Sequence, residues 1–329
     1  MRIASFHAQG QDRIGFPLPG GALVDVQAVL RARFPSVRPP ADMLDLIRGG
    51  TEALQQVRAA WASACKAPDG LPSFDPATVV WHPPVRTPSK VVCLALNNRA
   101  LDAIKIRAPT DHPAFFLKPS TALTGHLQPI RLRAAYGLTH PEPELGVIIG
   151  TLLKDASPES ALAAVYGYTI VNDVTSVGMR EEDSFSVRYF RPGPTPGETT
   201  VGEAHTSYPG RYKASDSFAP MGPWLVTADE VPDPAALRIQ CRMDQLLVAS
   251  DHTRNYTWGV PQALAHISRT MTLLPGDIVS MGTAVGGNAD DPEAPNVPGV
   301  TRADLRSLKG NVVVTIEPLG SLSNVVQMI

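Results

Sequence analysis

The sequence predicts an α+β fold with a large mixed sheet and few, short helices. Six short runs rich in β-branched residues are bounded by Gly, Pro, Asn or Asp, as strands are. They occupy residues 91–96, 145–149, 168–171, 224–227, 278–281 and 312–316. The 32 prolines and 26 glycines leave little room for long helices. Strands follow one another too closely for a doubly wound α/β sheet, which favours α+β.

Residues 1–82 are expected to form a small N-terminal α+β domain. Strand-like runs at residues 2–6 and 14–18 precede two short helical patterns at residues 41–48 and 51–63. In the second pattern, Leu54, Val57 and Trp61 recur at helical spacing, and prolines then interrupt it. The His-Pro-Pro sequence that begins at residue 82 marks the boundary, so residues 83–329 form the larger domain.

The larger domain contains two predicted helices and two unusual segments. One helix begins near Ser157, a good N-cap followed by proline at the first helical position, and the other covers residues 261–273. Residues 183–211 are rich in Pro, Gly and Thr and show no sustained period. A loop of this length in a compact domain is typically a lid or a binding loop, and its aromatic residues argue against disorder. Residues 286–299 form a second predicted loop.

Composition excludes several classes of function. With 29 Lys+Arg against 31 Asp+Glu, a net charge of −2 and no basic run, nucleic acid is not an expected partner. No segment approaches the roughly 20 apolar residues that cross a bilayer, so no membrane association is expected. The start of the chain lacks an apolar signal region, which indicates a cytoplasmic protein. The three widely spaced cysteines fit neither a disulfide framework nor a CxxC metal site.

Acidic residues at the ends of two apolar strands are the most informative feature. Glu142 and Glu144 are two apart at the start of one strand, so their side chains share a face, and Asp173 follows the next strand. Three carboxylates without clustered cysteine or histidine indicate a hard cation, Mg²⁺, Mn²⁺ or Ca²⁺, rather than zinc. The alternative is that Glu-x-Glu is a solvated strand start, and the residue pattern alone favours neither.

Six segments, in order, resemble the fumarylacetoacetate hydrolase family. They are FFLKPSTAL (residues 115–123), EPELGVIIG (142–150), GYTIVNDVTS (167–176), KASDSFAPMGPW (213–224), LPGDIVSMGT (274–283) and GSLSN (320–324). The resemblance extends from about residue 91 to residue 326. It implies a catalytic domain built as a mixed β-roll or β-sandwich, and a homodimer. It also implies one Mg²⁺ or Mn²⁺, with Ca²⁺ as an alternative, on Glu142, Glu144 and Asp173.

The resemblance also assigns roles to other residues. Lys213 is expected to contact the oxyanion or the substrate carboxylate, and Thr283 lies in a turn that holds a carboxylate. Lys118, within an apolar run before a proline, is expected to be structural. The family's arginine position is occupied by Val177, and Arg180 is expected to supply that charge. Four further residues are expected to contact substrate: Asn97, Arg99, Tyr189 and His205.

One departure from the family pattern affects the predicted reaction. Leu101 and Ile104 occupy the positions at which family hydrolases carry the His and Glu that activate water. The first hypothesis is a hydrolase that cleaves a C–C bond in a small 2-oxo or 2,4-dioxo acid, such as an acylpyruvate or a fumarylacetoacetate-like compound, through a metal-stabilised enolate. Attack by water is the step that depends most on the missing His and Glu, so an isomerase (tautomerase), decarboxylase or dehydratase is the alternative. A non-catalytic protein that binds 2-oxo acids is the second alternative.

Overall fold

The computed structural model describes residues 1–105, 108–285 and 303–329, and within them the predicted α+β class is confirmed. The predicted loop at residues 286–299 lies outside the described residues. The strands are β1 (Arg2–Ala8), β2 (Gln11–Pro17), β3 (Leu23–Asp25), β4 (Ser73–Phe74), β5 (Val80–Trp81), β6 (Val91–Ala95), β7 (Ala114–Lys118), β8 (Leu123–Thr124), β9 (Ile130–Leu132), β10 (Thr139–His140), β11 (Pro143–Ile149), β12 (Val165–Asn172), β13 (Thr175–Ser176), β14 (Ser184–Pro192), β15 (Thr199–Ser207), β16 (Ala219–Thr227), β17 (Arg238–Met243), β18 (Leu246–His252), β19 (Ile278–Ser280), β20 (Asn311–Ile316) and β21 (Gly320–Met328). The α-helices are α1 (Val26–Arg33), α2 (Met43–Arg48), α3 (Gly50–Lys66), α4 (Pro158–Ala163), α5 (Val177–Glu182), α6 (Arg211–Ala214) and α7 (Val260–Thr270).

One large mixed sheet organises the molecule. Its strand order is β4-β3-β2-β1-β16-β12-β11-β19-β6-β7, with β5 paired to β1 and β8 paired to β16. The first strand of the chain joins this sheet through β16, where Arg2 pairs with Val226 and Ile3 pairs with Leu225. The N-terminal strands and the central strands are therefore hydrogen-bonded in one sheet. The domain boundary at residue 82 stays a prediction.

The central strand β11 is buried on both faces, which explains its continuous apolar sequence. Leu145, Val147 and Ile149 pack into a cluster with residues of α7 and of a second sheet, ordered β18-β17-β20-β21-β9. Ile148 points to the other face, into a cluster with buried residues of α1, α2 and α3. The opposite directions follow from the alternation of side chains along a strand. The polar ends of β11 are thus fixed within a rigid core.

The predicted helices begin close to where the sequence places them, whereas three short helices, α1, α5 and α6, have no predicted counterpart. Helix α4 starts at Pro158, and the Ser157 hydroxyl accepts a hydrogen bond from the backbone N–H of Ser160. Helix α7 covers Val260–Thr270, close to the predicted 261–273. The N-terminal patterns correspond to α2 and α3, whereas α1 was not predicted, although Asp25 caps it through the N–H groups of Gln27 and Ala28. Among the described helices, none combines the length and apolar composition needed to cross a membrane.

The expectation of an irregular loop at residues 183–211 was wrong. Strands β14 and β15 form an antiparallel hairpin, in register from Ser184 opposite Ser207 to Pro192 opposite Thr199. The apolar residues Phe185, Val187 and Tyr189 alternate along β14, which is a strand signal that the surrounding prolines and glycines obscured. Most of the hairpin is exposed. It connects α5, which follows Asp173, to α6, which carries Lys213.

Candidate metal centre

Antiparallel pairing of β11 with β12 brings Glu142 next to Asp173. Pro143 lies opposite Asn172, and the ladder continues one residue further, since the Asp173 N–H donates to the Glu142 carbonyl at 2.8 Å. The Glu142 N–H donates to the Asn172 side-chain oxygen at 2.9 Å. Two residues far apart in sequence thus present their carboxylates at the same end of adjacent strands.

Glu142, Glu144 and Asp173 form one carboxylate cluster. One oxygen from each lies within 4.8 Å of the others. Glu144 and Asp173 are almost completely buried, and Glu142 is partly exposed. The Glu144 carboxylate is held through Oε2, which accepts hydrogen bonds from the Ser280 hydroxyl at 2.5 Å and the Gly282 N–H at 2.9 Å. The strand next to β11 therefore fixes the orientation of this carboxylate.

Two lysines bind the cluster. Lys213 Nζ donates to Glu142 Oε2 and to Asp173 Oδ2, both at 2.7 Å. Lys118 Nζ lies 2.6 Å from Asp173 Oδ1 and donates to the carbonyls of Phe218, at 2.7 Å, and Lys213. Each oxygen of Asp173 thus faces an ammonium group. Both lysines are buried, so these ion pairs are shielded from water.

The balance of charge within the cluster fits a divalent cation. Burial, together with the carboxylates of Asp173 and Glu142, raises the pKa of Glu144 well above its usual range. Burial also opposes ionisation of Asp173, but Lys118 and Lys213 outweigh it and lower the pKa of that carboxyl. When all three carboxylates are ionised, they exceed the two lysines by one negative charge in a buried site, and every candidate donor is an oxygen. Such donors suit Mg²⁺ or Mn²⁺.

Two polar residues line the Glu142 side of the cluster. The Thr175 hydroxyl donates to Glu142 Oε1 at 2.9 Å. The Nε2 atom of His140 is 3.7 Å from the same oxygen, and its Nδ1 lies 3.2 Å from the Pro141 carbonyl. Burial lowers the pKa of His140, so the ring is neutral at pH 7. The two residues position Glu142 without adding charge.

A second buried network holds the turn that contains Thr283. The Thr283 hydroxyl donates to the Ala284 carbonyl at 2.9 Å, and the Thr283 carbonyl accepts from the Asn98 amide at 3.2 Å. The same amide donates to Asp251 Oδ2 at 2.7 Å, and the Val285 N–H donates to that oxygen at 2.9 Å. The Asp251 carboxylate therefore anchors the turn beside the carboxylate cluster. No sequence motif marks Asp251, which is a single aspartate near the end of strand β18.

The remaining predicted site residues lie away from the carboxylates or are engaged within the fold. The Asn97 amide donates to the carbonyls of Trp258 and Met281 and accepts from the Trp258 N–H. Within the described residues, none of the other four makes a hydrogen bond or ion pair to the cluster. These residues are Arg99 and Arg180, both exposed, Tyr189, which stacks against Arg191 on the hairpin, and His205, whose Nδ1 lies 3.3 Å from the Ser186 hydroxyl. The expected substrate contacts of Arg99, Tyr189 and His205, and the catalytic charge expected from Arg180, stay predictions.

Leu101 lies in a short 3-10 helix, Arg99–Ile104, directly after the Asn97–Asn98 pair. Its side chain is 1% exposed. The side chain of Ile104 lies outside the described part of the chain. A buried leucine offers neither a proton acceptor nor a hydrogen-bond partner for water, at the position where the resemblance places a water-activating histidine.

Comparison with known proteins identifies the wider group. The sequence model of the fumarylacetoacetate (FAA) hydrolase C-terminal domain matches residues 90–327. Oxaloacetate tautomerase YisK of Bacillus subtilis (strain 168) is 27% identical over 333 residues, covering 98% of this chain and 99% of the relative. The mitochondrial oxaloacetate tautomerase FAHD2B of Bos taurus is 30% identical over 267 residues, covering 81% of this chain and 74% of the relative.

Solved structures agree with this grouping. Maleylpyruvate hydrolase from Sphingobium sp. SYK-6, in complex with manganese(II) ion and pyruvate, matches with a TM-score of 0.69 and 27% identity. The match covers 100% of this chain and 99% of that one. The similar proteins are thus enzymes that act on small oxo acids, and one of them binds a divalent metal.

Proposed function

Because this chain belongs to the fumarylacetoacetate hydrolase family, we propose that it is a divalent-metal-dependent tautomerase of a small 2-oxo acid of the oxaloacetate type. Keto–enol interconversion breaks the C3–H bond and forms an O–H bond at the 2-oxo oxygen, and nothing is added to the substrate. Hydrolysis of a C–C bond additionally needs an activated water molecule. Tautomerisation therefore needs one activated group fewer at the site than hydrolysis does, which is why we propose it.

The observation that carries this choice is the buried Leu101. General-base activation of water typically contributes 10²- to 10⁴-fold to a rate, and it requires a proton acceptor within hydrogen-bond reach of that water. Leucine cannot provide one. Tautomerisation does not depend on that step, and two tautomerases are among the relatives that cover most of the chain.

Each residue of the cluster has a separate task in the proposed reaction. Glu142, Glu144 and Asp173 would hold the Mg²⁺ or Mn²⁺ ion, which supplies Lewis-acid polarisation of the 2-oxo group when bound. Lys213 has three N–H groups, and two of them are directed to Glu142 and Asp173. The third can donate to the 2-oxo oxygen of the substrate and stabilise the negative charge that develops there.

Lys118 and Thr283 complete the proposed set. Lys118 Nζ has several acceptors within the protein, so its task is to keep Asp173 ionised and oriented rather than to bind substrate. Thr283, on the turn that Asp251 anchors, would bind a substrate carboxylate. Arg99, Tyr189 and His205 are the proposed contacts for the rest of the substrate, and Arg180 is proposed to supply the catalytic positive charge in place of the family's arginine. We further propose a homodimer and a cytoplasmic location, which sedimentation and cell fractionation would test.

The test compares three outcomes with purified protein. Oxaloacetate is supplied as the enol, and decay of the enol absorbance is followed with Mg²⁺ and with a chelator. The expected result is metal-dependent acceleration of this decay, without loss of carbon dioxide and without cleavage of acylpyruvates. Cleavage or decarboxylation without tautomerisation would refute the proposal. Thermal stabilisation by oxaloacetate with no turnover would identify a binding protein instead.

A second candidate is hydrolysis of an acylpyruvate. It is favoured by the match along the whole chain to a maleylpyruvate hydrolase in complex with pyruvate. Pyruvate release from maleylpyruvate, at a rate above that of enol decay, would place this reaction first. In that case a group other than residue 101 must activate the water.

A further inference from the structure

A second group of metal-binding side chains lies at the N-terminal end of the large sheet, apart from the carboxylate cluster. His7 is on β1, Asp12 is on β2, and His82 directly follows β5. Donor atoms of all three lie within 4.8 Å of one another. His7 and Asp12 are directly opposite in the β1–β2 ladder, and the His82 N–H donates to the Ser5 carbonyl on β1 at 2.9 Å. Three hydrogen-bonded neighbouring segments therefore present the group on a rigid support.

One carboxylate oxygen faces both imidazoles. Asp12 Oδ1 is 2.8 Å from His7 Nδ1 and 3.0 Å from His82 Nε2. Ligands bound about 2.0–2.2 Å from one ion are roughly 2.9–3.5 Å apart when they occupy adjacent coordination positions. The observed separations of 2.8 and 3.0 Å lie just below this range and at its short end, so small outward movements of the side chains would admit an ion. Asp12 Oδ2 accepts a hydrogen bond from Arg86, which orients the carboxylate with Oδ1 towards the two rings.

We propose that His7, Asp12 and His82 form a second metal site that takes Zn²⁺ or a related transition-metal ion. Two imidazoles and one carboxylate are a ligand set of zinc and its neighbours, whereas Mg²⁺ prefers oxygen ligands. His7 and Asp12 are partly exposed, which leaves room for water to complete the coordination. The ion would join β1, β2 and the segment after β5. The proposal does not depend on the reaction carried out at the carboxylate cluster.

The experiment titrates Co²⁺ and then Zn²⁺ into full-length protein that has been stripped with a chelator and returned to millimolar Mg²⁺. Under the proposed function Mg²⁺ would occupy the carboxylate cluster, so the titration would report the additional site. The expected result is one further equivalent of Co²⁺, seen by its visible absorption and displaced by Zn²⁺. His7→Gln and His82→Gln should each weaken this binding at least tenfold. Glu144→Gln, which alters only the carboxylate cluster, should retain the further equivalent.

His112→Gln is the matched control, because His112 is another partly exposed histidine that stacks with His266 outside the group. It should bind the same amount of metal as the unaltered protein. Two results would overturn the proposal: no further equivalent in the unaltered protein, or unchanged affinity in both His7→Gln and His82→Gln. If His82→Gln fails to fold, the more exposed His7 still provides the test, and circular dichroism of both variants in chelator separates loss of metal from loss of fold.

Discussion

Glu144→Gln separates the stability of the fold from the binding of metal. The substitution preserves shape and keeps one amide oxygen as the acceptor for the Ser280 hydroxyl and the Gly282 N–H. It replaces a carboxyl group whose charged form is disfavoured by burial and by repulsion from the neighbouring carboxylates, which together raise the pKa of Glu144. We therefore expect the metal-free variant to be at least as stable as the unaltered protein, because a repulsion is relieved. Metal binding, in contrast, should be severely weakened.

The size of the effect follows from ligand linkage. At a Mg²⁺ concentration of about 100 times the dissociation constant, a ligand stabilises the fold by about 2.7 kcal/mol. A large domain gains roughly 2–4 °C in Tm for each kcal/mol, so Mg²⁺ should raise the Tm of the unaltered protein by about 5–10 °C. If loss of one of three charged ligands weakens binding about 100-fold, the same Mg²⁺ adds only about 0.4 kcal/mol and about 1 °C.

Thermal melts with and without Mg²⁺ measure the stability of the metal-free protein and the Mg²⁺-induced rise in Tm on the same samples. The rate of enol decay measures the activity, which we expect to fall at least 100-fold in Glu144→Gln. Glu52→Gln is the control, since Glu52 is an exposed glutamate on α3. A Mg²⁺-induced shift in Glu144→Gln as large as in the control would refute the assignment of this carboxylate as a ligand. A metal-free variant that is several degrees less stable would refute the repulsion argument.

Three further predictions concern the same centre. Lys118→Met leaves the buried Asp173 without one ion pair and should cost about 3–5 kcal/mol in urea unfolding, whereas the exposed Lys66→Met should cost little. Gly282→Ala should abolish activity and lower the Tm, because the new Cβ would lie 2.8 Å from Asn97 Cβ at a backbone φ of +99°. The last prediction concerns pH. The raised pKa of Glu144 means that the protonated group contributes stability below pH 4.5, which is lost as pH rises through its folded-state pKa. Mg²⁺ offsets this loss of stability, so the Mg²⁺-induced rise in Tm should grow with pH between 5 and 8. A rise in Tm that stays constant over this range would contradict the raised pKa of Glu144.

The sequence predicts the carboxylates of the centre better than their surroundings. Glu142 and Glu144 are recognisable because side chains two apart at the start of one strand share a face. Lys118 was assigned a structural role from its apolar neighbours, and its contact with Asp173 could not be read from them. That contact depends on how strands distant in sequence are placed relative to one another, which is a property of the whole sheet.

The fold was predictable where signals are local. Short β-branched runs identified the central strands, and Ser157 with Pro158 identified the start of α4. The hairpin at residues 183–211 was missed because composition outweighed the alternation of Phe185, Val187 and Tyr189. Pairing between β1 and β16 joins the N-terminal strands to the central sheet, and no local pattern at residue 82 could report it.

The site combines residues held by the central sheet with a residue on a short connecting segment, and this division suggests how one fold can support different reactions. Glu142, Glu144, Asp173 and Lys213 are fixed by the central sheet and by α6, within a core where substitutions are costly. Leu101 is also buried, but it lies on a short 3-10 helix between β6 and β7, the last two strands at one edge of the large sheet. In the proposed reaction, a change there would remove the activation of water without disturbing the charges that stabilise an enolate. The rigid sheet would then provide polarisation of the 2-oxo group, and the shorter segments around it would decide the fate of the enolate.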